Sequence, residues 1–600
     1  MLRELVDNML SGMKAGFKAI LNLQQPFERK KMFIHKSSSK LSATLLALVC
    51  MLVATLTFAA EKVGRGGAKY GGTLNLAHPF NPEDFDQAYR SSHRAWALNV
   101  TNELTIAADW AKGPNGTGKL PANVTIWPSE ADWAGYLVES WDISDPLKWT
   151  LNVRKGVHFH NKPPVNGREM TAEDVAVSFH RSITMPGSWA SRAANKPTSI
   201  KATDRYTVVV EFAKYNAEMS FILFNHFFVV PKEVVWDKDG NETEALRDWK
   251  NSVGTGPFIL TDYVEGAHLD YIKFDNYWKT DPIPGREGNK LPYVDGMRIR
   301  IIEESATRVA ALRAGKLDAT SQGSTDPWVT WSDAEQLKKS NPELKWKEVK
   351  AFSHQMALNM ADAPLSDFRV RRALSMAIDR KALVRDLYNG NGDFFNNWMA
   401  PKQQPDLYTP FEKLPAELQE LISYNPEKAK ALLAEAGYPK GFEMKILVKA
   451  DNEDRALFIR NNLKKIGVTL NIDTREAAVF SDLFYSKKYK GASMWYYSGG
   501  FSLSTLQIKT TGFYGNFNNN NDPYHDAEYL RVVSIIDPEE RNEAIKKHSN
   551  YVLGLMWGIP IPSANFFTFW QPWLKGFEGA YYPHQYGYYT PFAYTWIDKE

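Results

Sequence analysis

The chain has 600 residues, a single cysteine and a formal charge of +3. Single hydrophobic cores stop growing at ~250–300 residues, so at least two lobes are expected. A composition of 44% hydrophobic and 24% charged residues excludes wholesale disorder and a fibrous repeat. One cysteine excludes an internal disulfide and a four-thiolate zinc or iron–sulfur site. The unusual feature is the aromatic content of 13%, with 19 Trp and 27 Tyr.

The N-terminal region has the composition of a secretion signal. An uncharged apolar run over residues 41–60 follows a lysine-rich stretch, and Thr57-Phe58-Ala59 offers the small residues that a signal peptidase reads. A basic start, an apolar centre and a small-residue exit predict a signal peptide over residues 32–60, which leaves 1–31 as an extension of unassigned role. An uncleaved anchor is the alternative, because about 20 apolar residues span a bilayer. The absence of a basic stop-transfer cluster directly after the run favours cleavage.

Most of the basic charge belongs to this N-terminal region. Residues 1–60 hold eight Lys or Arg and three Asp or Glu, so that without them 64 basic and 66 acidic residues give a formal charge of −2. A nucleic-acid partner then loses its electrostatic support. Cys50 follows Leu48-Val49 where a lipoprotein signal has a small residue, which argues against a lipid anchor. We expect a secreted protein in the periplasm or another extracytoplasmic compartment, with a membrane-anchored form as the alternative.

The mature chain has the patterns of a mixed α/β protein. Residues 206–212 and 297–303 alternate apolar and polar side chains, which predicts two strands. Thr171-Ala-Glu-Asp174 is a capping box and predicts the start of a helix. A strand over 442–448, a helix over 453–466 and a strand over 468–472 follow one another, and this order predicts parallel pairing of the two strands.

Known catalytic and metal-binding signatures are missing from the sequence. No G-x-S-x-G, H-E-x-x-H or G-x-x-x-x-G-K-[ST] pattern occurs. His158 and His160 share one face of a strand without a third ligand nearby in sequence, so a polar strand end is the favoured interpretation. Asp237-Lys-Asp-Gly-Asn241 imitates a calcium loop, but its glycine stands at the wrong position and a turn is expected instead. We therefore expect no catalytic residue, no metal and no cofactor.

Several sequence blocks resemble one known family. Leu137-Val-Glu-Ser-Trp141 followed by Leu151-Asn-Val-Arg-Lys-Gly-Val-His-Phe-His160 resembles the signature of family 5 extracellular solute-binding proteins, the peptide-type receptors of ABC importers. The match is spread from about Tyr70 to the C-terminus, and several blocks in order behind a secretion signal make the resemblance specific. The further blocks are Met170–Val175, Gly254–Phe258, Asn276–Trp278, Ala311–Asp318, Val370–Arg380, Asn425–Ala429 and Ala434–Tyr438.

Two of these blocks also have a physical interpretation of their own. Gly254-Thr-Gly-Pro257 turns sharply without a Cβ penalty at its glycines, which lets it join two elements closely. Asp379-Arg380 is expected on the helix that begins near Arg369, at its solvent end. These are signals of the scaffold and say little about a ligand.

The resemblance implies a bilobal periplasmic-binding-protein fold. Two mixed α/β lobes are joined by hinge crossings and close on a ligand between them, because only the closed form gives the ligand contacts from both lobes. The expected ranges are 61–325 for lobe I with an extra subdomain at 110–245, 326–540 for lobe II, and 541–600 for a C-terminal return to lobe I.

The ligand-binding prediction rests mainly on the second lobe. In peptide-binding relatives an aspartate after a tryptophan pairs with the amino group of the peptide, and the resemblance aligns Ser498 with that aspartate. No acid lies between Tyr489 and Gly515, and a buried ammonium without a counter-charge is costly. Adjacent aromatic residues beside two glycines suggest flat faces for a ring, although a buried strand is the alternative. The candidate ligand-binding residues are Trp495, Tyr496, Tyr497, Ser498, Gly499 and Phe501, with His78 and Phe80 after the first strand.

The resemblance implies a receptor that delivers its ligand to an ABC permease, without turnover. An oligopeptide or peptide-like ligand is the leading hypothesis, because the family tends to bind peptides. An oligosaccharide or other ring-bearing solute is the alternative, which the missing acid and the aromatic content favour. A secreted hydrolase with paired carboxylates is a remote alternative that only the presence of acids supports. We expect a monomer with no nucleic-acid partner.

Overall fold

The structure is a computed structural model of the chain. The unit Met1–Glu61, which contains the predicted signal peptide, lies outside the described residues, and Lys62–Glu600 is one compact unit. None of the described helices combines the length and the apolarity that a membrane span requires. The described residues are 63–86, 95–113, 115–120, 132–186, 188–225, 227–237, 239, 241–320, 329–350, 354–402, 404, 406–496, 502–579 and 590–599.

The first sheet joins the start of the described chain to a strand more than 200 residues later. Strand β1 (Thr73–His78) has two fully buried leucines and runs parallel to β10 (Gly296–Ile301), with Leu74 opposite Met297. The strand predicted at 297–303 is thereby confirmed. The sheet has the order β1-β10-β9-β8, in which β9 is His268–Lys273 and β8 is Phe258–Val264.

A second four-stranded sheet packs under a capped helix. Thr171 and Asp174 form the predicted capping box at the start of helix α1 (Ala172–Thr184), and β7 (Thr207–Phe212) confirms the strand predicted at 206–212. Apolar side chains from the helix and the sheet fill one core that includes the buried Trp149. The sheet has the order β4-β5-β7-β6, in which β4 is Val138–Asp142, β5 is Lys148–Val153 and β6 is Pro197–Asp204.

The third sheet has five strands and contains the predicted strand–helix–strand unit. Strand β13 (Glu443–Val448), helix α11 (Glu453–Lys464) and strand β14 (Thr469–Thr474) follow in that order, and the two strands pair in parallel as predicted. The order of the sheet is β14-β13-β15-β12-β16. The other strands are β12 (His354–Leu358), β15 (Ala492–Tyr496) and β16 (Gly558–Ile561).

Two further strands pair with each other, one just before the chain enters this sheet and one just after the chain leaves it. Strand β11 (Lys345–Val349) precedes β12 along the chain, and its partner β17 (Phe566–Trp570) follows β16. Helix α5 (Trp331–Ser340) packs on β17, whereas β16 pairs with β12. Both pairings join residues far apart in sequence, so no local pattern indicates them. The expected lobe ranges, 326–540 for lobe II among them, stay a prediction.

Gly254 and Gly256 are required by close approach of two backbone segments. A Cβ on Gly254 would lie 1.9 Å from the carbonyl oxygen of Thr101, and one on Gly256 would lie 2.6 Å from that of Val100. The Gly256 amide donates to the Thr101 carbonyl at 2.9 Å. The predicted close joining of two elements is confirmed, since no other residue lacks the Cβ that would clash.

Arg380 is buried, so its expected position at the solvent end of a helix is wrong. Helix α7 (Phe368–Met376) ends earlier, and Asp379 caps a new helix, α8 (Arg380–Tyr388), by accepting from the Ala382 amide at 2.9 Å. The Arg380 side chain is 2% exposed. Its guanidinium is buried because it finds carbonyl acceptors on several elements, which a local sequence pattern does not reveal.

Short elements complete the described chain. The remaining strands are β2 (Ile106–Ala108), β3 (Trp133–Gly135), β18 (Leu574–Lys575) and β19 (Trp596–Ile597). The remaining helices are α2 (Glu218–Asn225), α3 (Lys232–Val235), α4 (Ser305–Arg313), α6 (Ala363–Ser366), α9 (Ala416–Ile422), α10 (Pro426–Glu435), α12 (Ala477–Tyr485), α13 (Ser502–Gln507), α14 (Pro523–Val533) and α15 (Pro538–Leu555).

Candidate functional site

The strand directions of the five-stranded sheet bring several chain segments to one edge. β13, β14 and β15 run in parallel, whereas β12 is antiparallel to both β15 and β16. The carboxyl ends of four strands therefore meet the start of β12. Open α/β sheets bind ligands outside the carboxyl ends of their strands. We name this region the carboxyl edge, and its residues are His354, Lys449, Arg455, Tyr496 and Ser563.

Two basic side chains lie at the carboxyl edge. The Arg455 guanidinium donates through Nε to the Tyr388 hydroxyl at 2.6 Å and through Nη1 to Asn452, both of which are neutral. Lys449 Nζ lies 3.5 Å from a carboxylate oxygen of Asp451, and its side chain is 29% exposed. The edge thus combines a partly exposed ammonium with a guanidinium whose described partners carry no charge.

His354 connects the start of β12 to the end of β16. Its backbone amide donates to the Ser563 hydroxyl at 3.1 Å, and its Nδ1 lies 2.6 Å from the same oxygen. Burial, together with the positive charges of Arg455 and Lys449, holds the pKa of His354 well below its ordinary value. The imidazole is therefore neutral at pH 7, and the positive charge of the edge comes from Lys449 and Arg455.

The predicted aromatic segment begins at this edge. In backbone register Trp495 stands opposite Gln355, and Tyr496 stands opposite His354. Tyr497, Ser498, Gly499 and Phe501 lie outside the described residues. The backbone of the first two candidates thus lies at the carboxyl edge, and the ligand-binding role of all six stays a prediction.

His78 and Phe80 lie at the end of β1, in the core of the first sheet. The His78 ring is 2% exposed and stacks on Trp96 with 3.8 Å between ring centroids. Its Nδ1 lies 2.8 Å from the carbonyl oxygen of Phe80. Burial lowers the pKa of His78 to about 3, so the ring is neutral and acts as a packing group here. A ligand-binding role for these two residues also stays a prediction.

A buried carboxylate joins helix α2 to helices α13 and α14. The Ser504 hydroxyl donates to Glu218 Oε1 at 2.5 Å, and the Tyr529 hydroxyl donates to Oε2 at 3.0 Å. Beside them the Ala217 amide donates to the Val533 carbonyl at 2.8 Å. Sequence reasoning missed this contact, although one acid in the apolar run Ala217–Phe224 is a signal that could have found it.

Among the described residues, one group has the side chains for a metal ion. Asp262, His268 and Asp270 lie on the β8–β9 hairpin, with His268 Nε2 at 3.5 Å and 3.7 Å from the two carboxylates. Asp270 already accepts both hydrogen bonds of the Arg298 guanidinium, at 2.6 Å and 2.5 Å. A bound cation would compete with this arginine, so the cluster fits a surface ion-pair network better than a metal centre.

The two histidines singled out in the sequence have backbone partners. His160 Nε2 lies 2.9 Å from the Gly256 carbonyl oxygen, and His158 Nδ1 lies 3.1 Å from that of Gly156. Burial lowers the pKa of His160 to about 4. Each of these two histidines therefore stabilises a nearby backbone segment through its contact with a carbonyl oxygen.

The mixed α/β fold and the polar carboxyl edge of its five-stranded sheet fit the class of extracytoplasmic solute-binding proteins. The chain belongs to the bacterial extracellular solute-binding proteins, family 5, whose family model matches residues 133–521. The resemblance deduced from the sequence and the bilobal α/β fold are thereby confirmed. The family is one of solute-binding receptors that act outside the cytoplasm.

Curated relatives and solved structures agree with this assignment. The chain is 29% identical over 474 residues to heme-binding protein A of Haemophilus influenzae, and the aligned region covers 74% of this chain and 81% of that protein. It is 26% identical over 365 residues to the dipeptide-binding protein of Escherichia coli, covering 57% of this chain and only 63% of that protein. The fold matches the periplasmic binding protein DppA from Helicobacter pylori in complex with peptide STSA, with a TM-score of 0.69, 21% identity, and coverage of 88% of this chain and 99% of that chain.

Proposed function

We propose that this receptor captures a peptide by its terminal carboxylate and delivers it to an ABC permease at the membrane. The observation that carries the proposal is the pair of cations at the carboxyl edge. A ligand carboxylate between Lys449 and Arg455 would gain charge-assisted hydrogen bonds, which are about twice as strong as neutral ones. The relatives named for dipeptides and the peptide-bound neighbour support this ligand class.

A carboxylate anchor also explains how a peptide could bind without the aspartate that pairs with the peptide's amino group in relatives. Ser498, aligned with the aspartate of peptide-binding relatives, offers no counter-charge for an ammonium. The positive edge instead favours the opposite end of the peptide. The aromatic candidates Trp495 to Phe501 would then contact its side chains.

Closure requires two lobes and two crossings between them. The sheet pairings support a lobe II over 354–561, with lobe I formed by 62–349 and 566–600 and the extra subdomain around the second sheet. The chain would then cross between the lobes after Val349 and again after Ile561. A ligand held at the carboxyl edge would favour the closed form by the contacts that lobe I adds.

A ring-bearing ligand with carboxylates is the second candidate. One relative is a heme-binding protein, and the same two cations would pair with carboxylates on such a ring. Aromatic residues at the edge would suit its flat face. A neutral oligosaccharide has no carboxylate, so the cations give that alternative no support.

Isothermal titration with three probes tests the proposal: the peptide Ser-Thr-Ser-Ala, its C-terminally amidated form, and hemin. We expect the free peptide to bind and the amide to bind about ten- to hundredfold more weakly, since a charge-assisted hydrogen bond contributes about 1.5–3 kcal/mol. Lys449→Met and Arg455→Met should each lower the affinity for the free peptide by a similar factor. Neither variant should change the already weak binding of the amide.

Arg460→Met is the matched control, because Arg460 is exposed on the same helix as Arg455. Equal affinity for the free peptide and its amide would overturn the carboxylate anchor. Binding of hemin without binding of either peptide would replace the peptide by the ring-bearing ligand.

The location and assembly follow from the same proposal. Residues 32–60 would direct export and be removed, leaving a free monomer in the periplasm. N-terminal sequencing and light scattering of the protein recovered from the periplasm test both points. An intact N-terminus in the membrane fraction would favour the anchored form.

A further inference from the structure

The Glu218 carboxylate stands where the extra subdomain meets lobe II, and its hydrogen bonds cross that boundary. Glu218 begins helix α2, which belongs to the core of the second sheet through Phe221 and Phe224. Ser504 and Tyr529, which donate to its two oxygens, lie on α13 and α14, within the proposed lobe II. We infer that Glu218 is a closure latch, which binds lobe II only when the lobes close and which couples closure to the uptake of a proton. The inference rests on the proposed function, and in particular on its lobe ranges.

Lobe II holds its two hydroxyl donors in a fixed arrangement. His525 Nε2 lies 3.0 Å from the Leu506 carbonyl oxygen, so this nitrogen carries the proton and ties α14 to α13. Its Nδ1 then accepts from His548 Nε2 at 2.8 Å. Because Ser504 and Tyr529 lie on the two helices joined in this way, they are positioned together to receive the Glu218 carboxylate.

Apolar side chains close around this contact. Ala217 shares one core cluster with Leu503, Leu506 and Val533 of lobe II, and Tyr215 packs against it. Arg192 of the subdomain stacks on Tyr514 with 4.0 Å between the guanidinium carbon and the ring centroid. Opening the lobes would expose this surface, so the carboxylate is surrounded by protein only in the closed form.

No cation faces Glu218 among the described residues, and this determines the sign of its pH response. Burial raises the pKa of Glu218 to about 7, and the two hydroxyl donors offset this only in part. In the open form water surrounds the carboxyl group, and its pKa returns towards the ordinary value near 4.5. Closure is therefore favoured at low pH: this stabilisation is fully present below about 4.5, falls as the pH rises from there to about 7, and is lost above that value. The titratable or charged groups on the elements packed around it are Tyr529, His525, Asp526, Glu528, Arg531, Lys509, His548, Arg192 and Tyr514.

Two of these groups also have shifted pKa values, so their titration must be separated from that of Glu218. Burial lowers the pKa of Lys509 to about 7 and that of His548 to about 4, but both lie within lobe II in any arrangement of the lobes. Substitution of Glu218 leaves them in place. The difference between the wild type and Glu218→Gln therefore isolates the latch.

The test measures the distance between lobes without any ligand, so its failure is separate from a failure of the proposed function. The full chain with Cys50→Ser receives spin labels at Lys201→Cys and Lys440→Cys, which are exposed on the subdomain and on lobe II. Pulsed electron spin resonance then gives the ratio of closed to open molecules between pH 5.5 and pH 8.5. We expect this ratio to fall about thirtyfold in the wild type, which is the part of the pKa shift that lies within this pH range.

Glu218→Gln should make the ratio independent of pH, while Glu528→Gln, a carboxylate on α14 that pairs with Arg531 of the same helix, should behave like the wild type. Tyr529→Phe removes one donor and should lower the ratio about fivefold at pH 5.5, which keeps the test informative if Glu218→Gln folds poorly. An interlobe distance that does not change with pH, or that changes equally in the wild type and Glu218→Gln, overturns the latch.

Discussion

Replacement of Arg380 by methionine should destabilise lobe II strongly. The guanidinium donates to the carbonyl oxygens of Pro560 on β16 and Ile422 at the end of α9, each at 2.8 Å, and to the Ser375 hydroxyl on α7 at 2.9 Å. It therefore joins two helix ends to the strand that leads back towards lobe I. Methionine fills a similar volume but leaves those buried acceptors without their donor.

The magnitude follows from the number of acceptors that lose a charged donor. A buried polar group without a partner costs about 1–3 kcal/mol. The guanidinium also contacts the carbonyl oxygens of Ser375 and Ile378, but these keep backbone donors. The Pro560 and Ile422 carbonyls and the Ser375 hydroxyl are therefore the acceptors that count. Methionine also removes a buried charge that has no carboxylate partner among the described residues, and the desolvation cost saved in this way offsets part of the loss. We expect a net loss of about 3 kcal/mol, which corresponds to amide hydrogen exchange about a hundredfold faster in residues 558–561 if β16 opens with the core of lobe II.

Hydrogen exchange read by mass spectrometry and urea unfolding measure this effect together. Arg385→Met is the matched control on the same helix, because that side chain is 71% exposed and pairs with Asp386 on the surface. The control should stay within about 0.5 kcal/mol of the wild type. A loss below about 1 kcal/mol for Arg380→Met would refute the argument that this arginine holds the three elements together.

Two further substitutions test close packing and a buried ion pair. Gly254→Ala would place a Cβ at 1.9 Å from the Thr101 carbonyl oxygen. We expect urea unfolding to show a loss of about 3 kcal/mol or more in the free energy of unfolding. Gly390→Ala is the control, because its Cβ would meet open space, and it should cost about 1 kcal/mol. Asp86→Asn leaves Arg181, which is 3% exposed, with only Glu242 as a carboxylate partner, and we expect about 3–5 kcal/mol in the same assay. A cost below about 1 kcal/mol, as for exposed pairs, would contradict the importance of that burial.

Local chemistry explains which parts of the fold could be predicted from the sequence. The capping box at Thr171 and the strand–helix–strand unit of β13, α11 and β14 depend on residues close in the chain, and both are confirmed. The pairing of β16 with β12 and of β11 with β17 joins residues about 200 positions apart. Hydrophobic alternation marks a strand but does not choose its partner, so these pairings could not be predicted from the sequence.

The same distinction applies to the candidate site. Lys449 and Arg455 look like ordinary charges on a loop and a helix until the parallel strands bring their segment beside Tyr496. Glu218 is visible as a lone acid in an apolar run, but its donors lie almost 300 residues later. Residues that act through long-range contacts therefore need the topology before their chemistry can be assigned.

The aromatic excess finds its main explanation in the cores. Trp96, Trp149 and Trp398 are at most 2% exposed, and Trp149 packs with 4.5 Å between its ring centroid and that of Phe212. Burying 150–250 Å² of such a side chain contributes about 4–6 kcal/mol before the entropy cost, so a chain that fills several separate cores gains from large rings. An aromatic composition produced by the scaffold does not indicate the ligand. The choice of ligand then depends on the charged groups at the carboxyl edge, where Lys449 and Arg455 are the basis of the proposed carboxylate anchor.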